Sequence, residues 1–183
     1  EKRLDAANVS KLSLIKNESV LRKIANAIVL CDPDSVFINT ASDEDRQFIR
    51  DLSIKKGEES KLPMDGHTIH YDLKDEQGRI IDRTFYIHNE GEEVNTLAKL
   101  KDRSDAFNDI QDKMTGIMRG KTMMIGFYLR GPVGAPASNP AVEISSSTYV
   151  LHSADILYRN VYSDFDQEVE KLGHFYTNIH SEG

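Results

Sequence analysis

The sequence predicts an α/β fold in which helices flank a mixed β-sheet. Segments with helical periodicity alternate with short β-rich segments along the chain, and this alternation is typical of α/β domains. The most apolar segment, 122–129, predicts a strand at the centre of the sheet. The 183 residues contain no internal repeat, and their number suits one domain, which we place at 17–183 behind a flexible polar arm at 1–16.

The first third of the chain predicts two helices separated by one strand. Apolar residues at helical spacing predict a helix that begins after Asn17 and ends near Cys31, because the residue before proline avoids the α conformation. The β-rich segment 35–39 predicts a short buried strand. Ser42 can cap a second helix, which ends at Gly57.

The middle of the chain has less regular patterns. Apolar and polar residues partly alternate over 67–73 and 79–88, on either side of a turn-forming sequence, which predicts a hairpin. The charged segment 89–103 predicts a surface loop, and Ser104 can cap the helix that follows it. The stripe expected to be buried on this helix comprises Phe107, Ile110, Met114, Ile117 and Met118.

The last third predicts a rigid turn, a strand and two helices. Two prolines fix the backbone of the turn at 131–136. A short strand is expected at 141–144, and Ser147 can cap a helix with apolar residues at helical spacing. Asp164 precedes a shorter helix that ends at Gly173.

Composition excludes several broad classes of protein. The chain has 23 Lys and Arg residues against 30 Asp and Glu residues, a net charge of −7, so it lacks the basic excess that nucleic-acid binding requires. Cys31 is the only cysteine, which rules out an internal disulfide and a cysteine-based zinc site and favours a cytoplasmic location. The longest apolar run is far shorter than the ~20 residues of a membrane-spanning helix, so we expect no membrane partner.

The segment 116–122 ends in Gly-Lys-Thr, as a phosphate-binding loop does. It has three residues between its glycines where the phosphate-binding loop has four, so its amides would form a different cradle. It also leads from a predicted helix into a predicted strand, whereas phosphate binds at the start of a helix that follows a strand. We therefore favour a helix end followed by a strand.

Spacing alone identifies neither a catalytic residue nor a metal ligand. His67 and His70 form an H-x-x-H sequence, but positions three apart on a strand point to opposite faces and would not chelate one ion together. Cys31 ends an apolar helix face, which favours inert packing over a role as nucleophile.

Three segments, in order, resemble GTP-dependent phosphoenolpyruvate carboxykinase. Residues 118–124 are similar to the family's Met-(Lys/Arg)-Gly-Arg-Thr-Met, 131–136 to its Gly-Pro-(Leu/Val)-Gly-Ser-Pro, and 142–150 to its Glu-(Leu/Ile)-Thr-Asp-Ser-Pro-Tyr-Val. Weaker similarity runs from about residue 20 to the end. The chain is identified as a divergent member that covers the family's amino-terminal domain, and the resemblance implies that domain's fold.

The resemblance also implies an activity for the intact enzyme. Members convert oxaloacetate and GTP to phosphoenolpyruvate, GDP and CO2 in gluconeogenesis, with Mn²⁺ or Mg²⁺ as cofactor. The family's kinase loop, manganese ligands, guanine pocket and lid all follow the part that this chain resembles. We therefore expect no catalytic, cofactor-binding or metal residue in this piece, no activity of the piece alone, and a carboxy-terminal nucleotide-binding domain of the same chain as its partner.

The resemblance implies one substrate-binding residue, Arg79. Residues 78–84 are similar to the family's Val-Ala-Arg-(Ile/Val)-Glu-(Ser/Asp)-(Lys/Arg)-Thr, whose arginine binds substrate, although Ile81 replaces the family's glutamate. A guanidinium presents a planar pair of donors that suits the carboxylate or phosphate of oxaloacetate or phosphoenolpyruvate. From the residues alone, the alternative is a surface arginine just past a turn.

A second class of function stays open, a non-catalytic binding or scaffold module that retains this domain without the kinase half. The length and acidic charge permit it, and the sequence departs from the family pattern at 128–130 and 145–148. The gene would discriminate, because continuation into a Gly-rich Lys-Thr loop favours the enzyme and a stop codon favours the module.

Overall fold

The computed structural model describes residues 3–72, 84–94 and 99–181. These residues form two compact units, a larger one of residues 3–70 and 116–181 and a smaller one from the described part of 71–115. Helices and strands alternate and the main sheet is mixed, so the predicted α/β class is confirmed. No helix of the described residues is long and apolar enough to cross a membrane.

The elements are numbered in chain order. The helices are α1 (Ala6–Leu12), α2 (Glu18–Cys31), α3 (Asp43–Lys56), α4 (Arg103–Met114), α5 (Thr148–Leu157) and α6 (Phe165–Leu172), the last preceded by a 3₁₀ turn at Tyr162–Asp164. The strands are β1 (Ser35–Asn39), β2 (Ser60–Lys61), β3 (Thr68–Ile69), β4 (Tyr86–His88), β5 (Leu100–Asp102), β6 (Thr122–Arg130), β7 (Asn139–Ser145), β8 (Arg159–Asn160) and β9 (Tyr176–His180).

The main sheet is built around β6. Its strand order is β1-β6-β7-β9, and β8 also pairs with β6. β1 is parallel to β6, β7 is antiparallel to β6, and β9 is parallel to β7. Residues 123–129 are all buried, as expected for a strand with neighbours on both edges and cover on both faces. The central position predicted for this segment is confirmed.

Successive residues of β6 pack against opposite layers of the larger unit. One face contributes to a buried cluster of Ile49, Met124, Tyr128, Leu151 and Ala154, which joins the sheet to α3 and α5. On the other face, the ring centroid of Phe127 lies 5.1 Å from that of Phe165 at the start of α6. Because both faces are apolar and covered, the sequence of β6 is a continuous apolar run with no alternating polar residues.

Side-chain caps begin three helices where the sequence predicts them. The side chain of Asn17 accepts from the amides of the first turn of α2, and Ser42 and Ser147 do the same for α3 and α5. Gly57 ends α3 with a φ of 76°, a left-handed conformation in which glycine avoids the strain of a Cβ. The predicted bounds of α2, β1 and α3 are therefore confirmed.

The segment expected to be a flexible arm, 1–16, contains a helix that covers the outer edge of β1. Asn8 on α1 is buried, and its side-chain oxygen accepts from the Ile38 amide at 2.8 Å. Lys11 Nζ lies 2.5 Å from the Asp45 carboxylate. The polar composition of the segment did not indicate this packing, because the contacts are hydrogen bonds and an ion pair and not those of an apolar stripe. The Asn8 contact occupies a backbone donor that an edge strand otherwise exposes.

The smaller unit departs from three predictions. Residues 100–102, expected in a loop, form β5 and pair in parallel with β4. Asp102 caps α4 in place of Ser104. Of the predicted buried stripe, Phe107 is 66% and Ile110 is 51% exposed, whereas Met118 is buried as predicted but lies beyond the end of α4. Two paired strands of three residues each offer too little apolar surface to cover such a stripe.

Replacing Asn8 by alanine tests the attachment of α1. The change removes the acceptor for a buried amide of β1, so we expect the free energy of unfolding to fall by about 1–3 kcal/mol. Urea denaturation followed by circular dichroism measures this. The exposed neighbour Ser10, changed to alanine, is the control and should alter stability by less than about 0.5 kcal/mol. Equal effects of the two changes would contradict the attachment.

Candidate functional site

A cleft of about 580 Å³ opens on the larger unit between α5 and the strands of the main sheet. We call it the Arg130 cleft. Its strand side includes Arg130 at the end of β6, Glu143 of β7 and Asn178 of β9. Glu143 and Asn178 are register partners on neighbouring strands, which places their side chains on the same face of the sheet.

Arg130 is held on two sides. Its Nη2 donates to Glu143 Oε1 at 2.6 Å, and its guanidinium lies over the Tyr158 ring, 4.8 Å from the centroid. Asn178 donates to the same Glu143 oxygen at 2.7 Å, and His180 Nε2 lies 3.7 Å from the other oxygen. The guanidinium is thereby fixed in orientation before any ligand arrives.

Glu143 is a carboxylate in an apolar strand, with its side chain only 4% exposed. Burial alone raises the pKa of Glu143, but the neighbouring His180, the hydrogen bond from Asn178 and the charge of Arg130 outweigh it, so the pKa lies below its ordinary value. Glu143 is therefore ionised at neutral pH and positions Arg130. Sequence reasoning did not identify this cleft. The available signal was a single glutamate within the apolar run of β7, at positions 141–144.

The Gly-Lys-Thr segment at 116–122 does not form a phosphate cradle. The Gly116 amide donates to the Leu30 carbonyl at 2.7 Å and the Met118 amide to the Cys31 carbonyl at 2.9 Å. The Gly120 amide donates to the Asp34 carboxylate at 3.0 Å. These amides already bind acceptors of the protein, so the segment anchors the end of α2 to the start of β6.

The two histidines of the H-x-x-H sequence have separate partners. His67 Nδ1 lies 3.0 Å from the Asp65 carbonyl, and His70 Nδ1 lies 2.6 Å from the Glu58 carbonyl. Within the described residues, no three His, Cys, Asp or Glu side chains are grouped so that they could hold a metal ion. Cys31 is fully buried and burial raises the pKa of its thiol, in keeping with its predicted packing role.

Arg79 lies outside the described residues, as does the predicted turn that precedes it. Its role in substrate binding therefore stays a prediction.

Two adjacent glutamates that follow α3 hold the start of α5. Glu58 accepts from the Ser147 hydroxyl and the Tyr149 amide, both at 2.8 Å. Glu59 accepts from Thr68 at 2.7 Å and pairs with His152 at 2.9 Å. The Ser147 contact holds the segment 145–148, where the sequence departs from the family pattern, and all four contacts are structural in character.

Comparison with known proteins identifies the family. Residues 23–183 match the Phosphoenolpyruvate carboxykinase N-terminal domain family, and the chain belongs to it. A relative from Saccharolobus solfataricus, named phosphoenolpyruvate carboxykinase [GTP], is 36% identical over 176 residues, covering 96% of this chain and 28% of the relative. A relative of the same name from Thermococcus sibiricus is 37% identical over 183 residues, covering 100% of this chain and 29% of the relative.

The chain thus spans less than a third of the length of these curated relatives. The shared region coincides with the matched family domain, so the resemblance inferred from the sequence motifs is confirmed at the level of the family.

Replacing Glu58 by glutamine tests the contact between Glu58 and the start of α5. Burial alone raises the pKa of Glu58, but the Tyr149 amide and the Ser147 hydroxyl outweigh it, so the pKa lies below its ordinary value of 4.5. The stabilisation by the carboxylate is therefore fully present above about pH 4.5 and declines as the pH falls through the folded-state pKa. We expect the variant to lose about 1–3 kcal/mol of unfolding free energy at pH 7.

Chemical denaturation of both proteins between pH 7 and pH 3 measures this, and the difference between them should shrink toward the acid end. The exposed Glu170, changed to glutamine, is the control and should show a smaller difference at every pH. A difference between Glu58→Gln and the unaltered protein that is independent of pH would contradict the assignment.

Proposed function

We propose that this chain is the substrate-side amino-terminal domain of a GTP-dependent phosphoenolpyruvate carboxykinase. The intact enzyme would convert oxaloacetate and GTP to phosphoenolpyruvate, GDP and CO2. The observation that carries the proposal is the family match over 23–183, supported by relatives whose names specify both the enzyme and GTP. The mixed sheet with flanking helices is consistent with the fold that this family implies.

In this proposal the nucleotide and the divalent metal are bound by the remainder of the enzyme. The relatives are more than three times as long as this chain, which leaves room for a carboxy-terminal nucleotide-binding domain. The described residues do not fit a metal, since they contain no group of three or more His, Cys, Asp or Glu side chains that could hold one. The amides of Gly116, Met118 and Gly120 bind protein acceptors. No step of the reaction is therefore assigned to a metal or nucleotide held here.

The contribution of this chain would be to bind and orient the substrate. Arg79 would donate a pair of hydrogen bonds to the carboxylate or phosphate of oxaloacetate or phosphoenolpyruvate. Such a pair fixes both position and orientation, and holding a substrate in a reactive geometry lowers the barrier to the chemical step. Because phosphoryl transfer depends on positioning and on neutralising the charge that develops, this anchor would be needed even though the reacting groups belong to the other domain.

In the intact enzyme, Arg79→Ala should lower kcat/KM for oxaloacetate by tens- to thousands-fold, because a charge-assisted paired contact is worth roughly 2–4 kcal/mol. Steady-state kinetics with GTP and Mn²⁺ measures this. Arg83→Ala, which removes a cation four residues away, is the matched control and should change kcat/KM by no more than a few-fold. An unchanged value for Arg79→Ala would remove this residue from the substrate site.

The 183-residue chain by itself should form no phosphoenolpyruvate from oxaloacetate, GTP and Mn²⁺, because groups that neutralise the developing charge would be absent. The intact protein assayed in parallel is the positive control. Sustained turnover by the short chain would contradict the division of labour proposed for the two domains.

A further inference from the structure

The Arg130 cleft contains more hydrogen-bond donors than its own residues satisfy. The hydroxyls of Tyr149, Ser153 and Tyr158 line it, and none of the three has a partner among the described residues. Arg130 uses Nη2 for Glu143, and its buried Nε has no partner in the described part of the chain. A buried donor without an acceptor is costly, so the site favours an occupant that brings acceptors.

Glu143 does not supply the missing hydrogen-bond acceptors. Glu143 already accepts from Arg130 and Asn178 on one oxygen, and His180 lies beside the other. Its geometry holds the guanidinium in place and leaves Nη1 as a donor with no partner among the described residues. The arrangement resembles a positioned cation prepared for an oxyanion.

α5 contributes apolar side chains to the cleft as well as the hydroxyls of Tyr149 and Ser153. Val150, Ala154 and Leu157 of α5 line it, and Leu157 is 68% exposed. A volume of about 580 Å³ lies within the range of small-molecule sites. A ligand that contacts both the hydrogen-bond donors and these aliphatic side chains would carry an acceptor group and a short aliphatic body.

The charge of the cleft lining favours a carboxylate over a phosphate as the occupant. Arg130 and Glu143 are the Arg, Lys, Asp or Glu side chains that line the cleft, and the formal charges of these two sum to zero. A monoanion that accepts from one guanidinium and several hydroxyls is compatible with this lining. A phosphate dianion would need further cations to offset the free-energy cost of losing its hydration.

We infer that the Arg130 cleft binds a small aliphatic monocarboxylate, with the carboxylate on Arg130 and the neighbouring hydroxyls and the aliphatic body against α5. The inference is argued from residues of the larger unit alone. It does not depend on the proposed enzymatic activity, because its test measures binding.

Isothermal titration of the intact protein with 3-methylbutanoate tests the inference, with 3-methylbutanamide and inorganic phosphate as comparison probes. The carboxylate should bind at least ten-fold more tightly than the amide of the same shape and more tightly than phosphate. Arg130→Met should raise the dissociation constant at least ten-fold. Arg119→Met is the matched control and should leave it unchanged, because Arg119 pairs with Asp32 outside the cleft.

Ser153→Ala provides a second test if Arg130→Met unfolds, since Ser153 is only partly buried and has no partner among the described residues that the change would disrupt. It should raise the dissociation constant several-fold. The inference is overturned if the carboxylate does not bind, as would happen if other parts of the intact protein fill the cleft. Equal binding of the amide, preference for phosphate, or unchanged binding by both cleft variants would overturn it as well.

Discussion

The burial of β6 on both edges and both faces is the constraint on which the larger unit depends. Its neighbours fix the parallel pairing with β1 and the antiparallel pairing with β7, while α3, α5 and α6 cover its faces. Once β6 is central, its last residue, Arg130, emerges beside β7 and the cleft forms there. The same constraint explains why Gly126 interrupts the apolar run, because a Cβ at this position would lie 2.5 Å from the Tyr128 ring.

Tyr128 belongs to a buried polar network that joins β1, β6 and α5. The Tyr128 hydroxyl donates to Asp155 of α5 at 2.8 Å, and the Asn39 amide at the end of β1 donates to the same carboxylate. Burial raises the pKa of Tyr128 far above its ordinary value, so the hydroxyl keeps its proton and acts as a donor. The side chains of Asn39 and Tyr128 thus have internal partners. The hydroxyls of Tyr149, Ser153 and Tyr158 in the Arg130 cleft have none among the described residues.

Local patterns predicted those parts of the fold that local physics determines. The caps at Asn17, Ser42 and Ser147 and the apolar run of β6 are short-range signals, and the structure confirms them. α1 and β9 escaped prediction because polar contacts and an edge position hold them, and neither leaves a periodic apolar pattern. The cleft escaped for a related reason, since β6, β7, β9 and α5 each contribute only one or a few of its residues. The family was predicted from ordered motifs, which hold more information than the periodicity of any one element.

Amide hydrogen exchange across the chain, followed by mass spectrometry, tests the central role of β6 most directly. The account predicts that peptides covering 123–129 exchange most slowly, at the rate set by global unfolding, while the short strands β4 and β5 exchange much faster. Exchange of 123–129 at the rate of β4 and β5 would contradict the claim that this strand organises the larger unit.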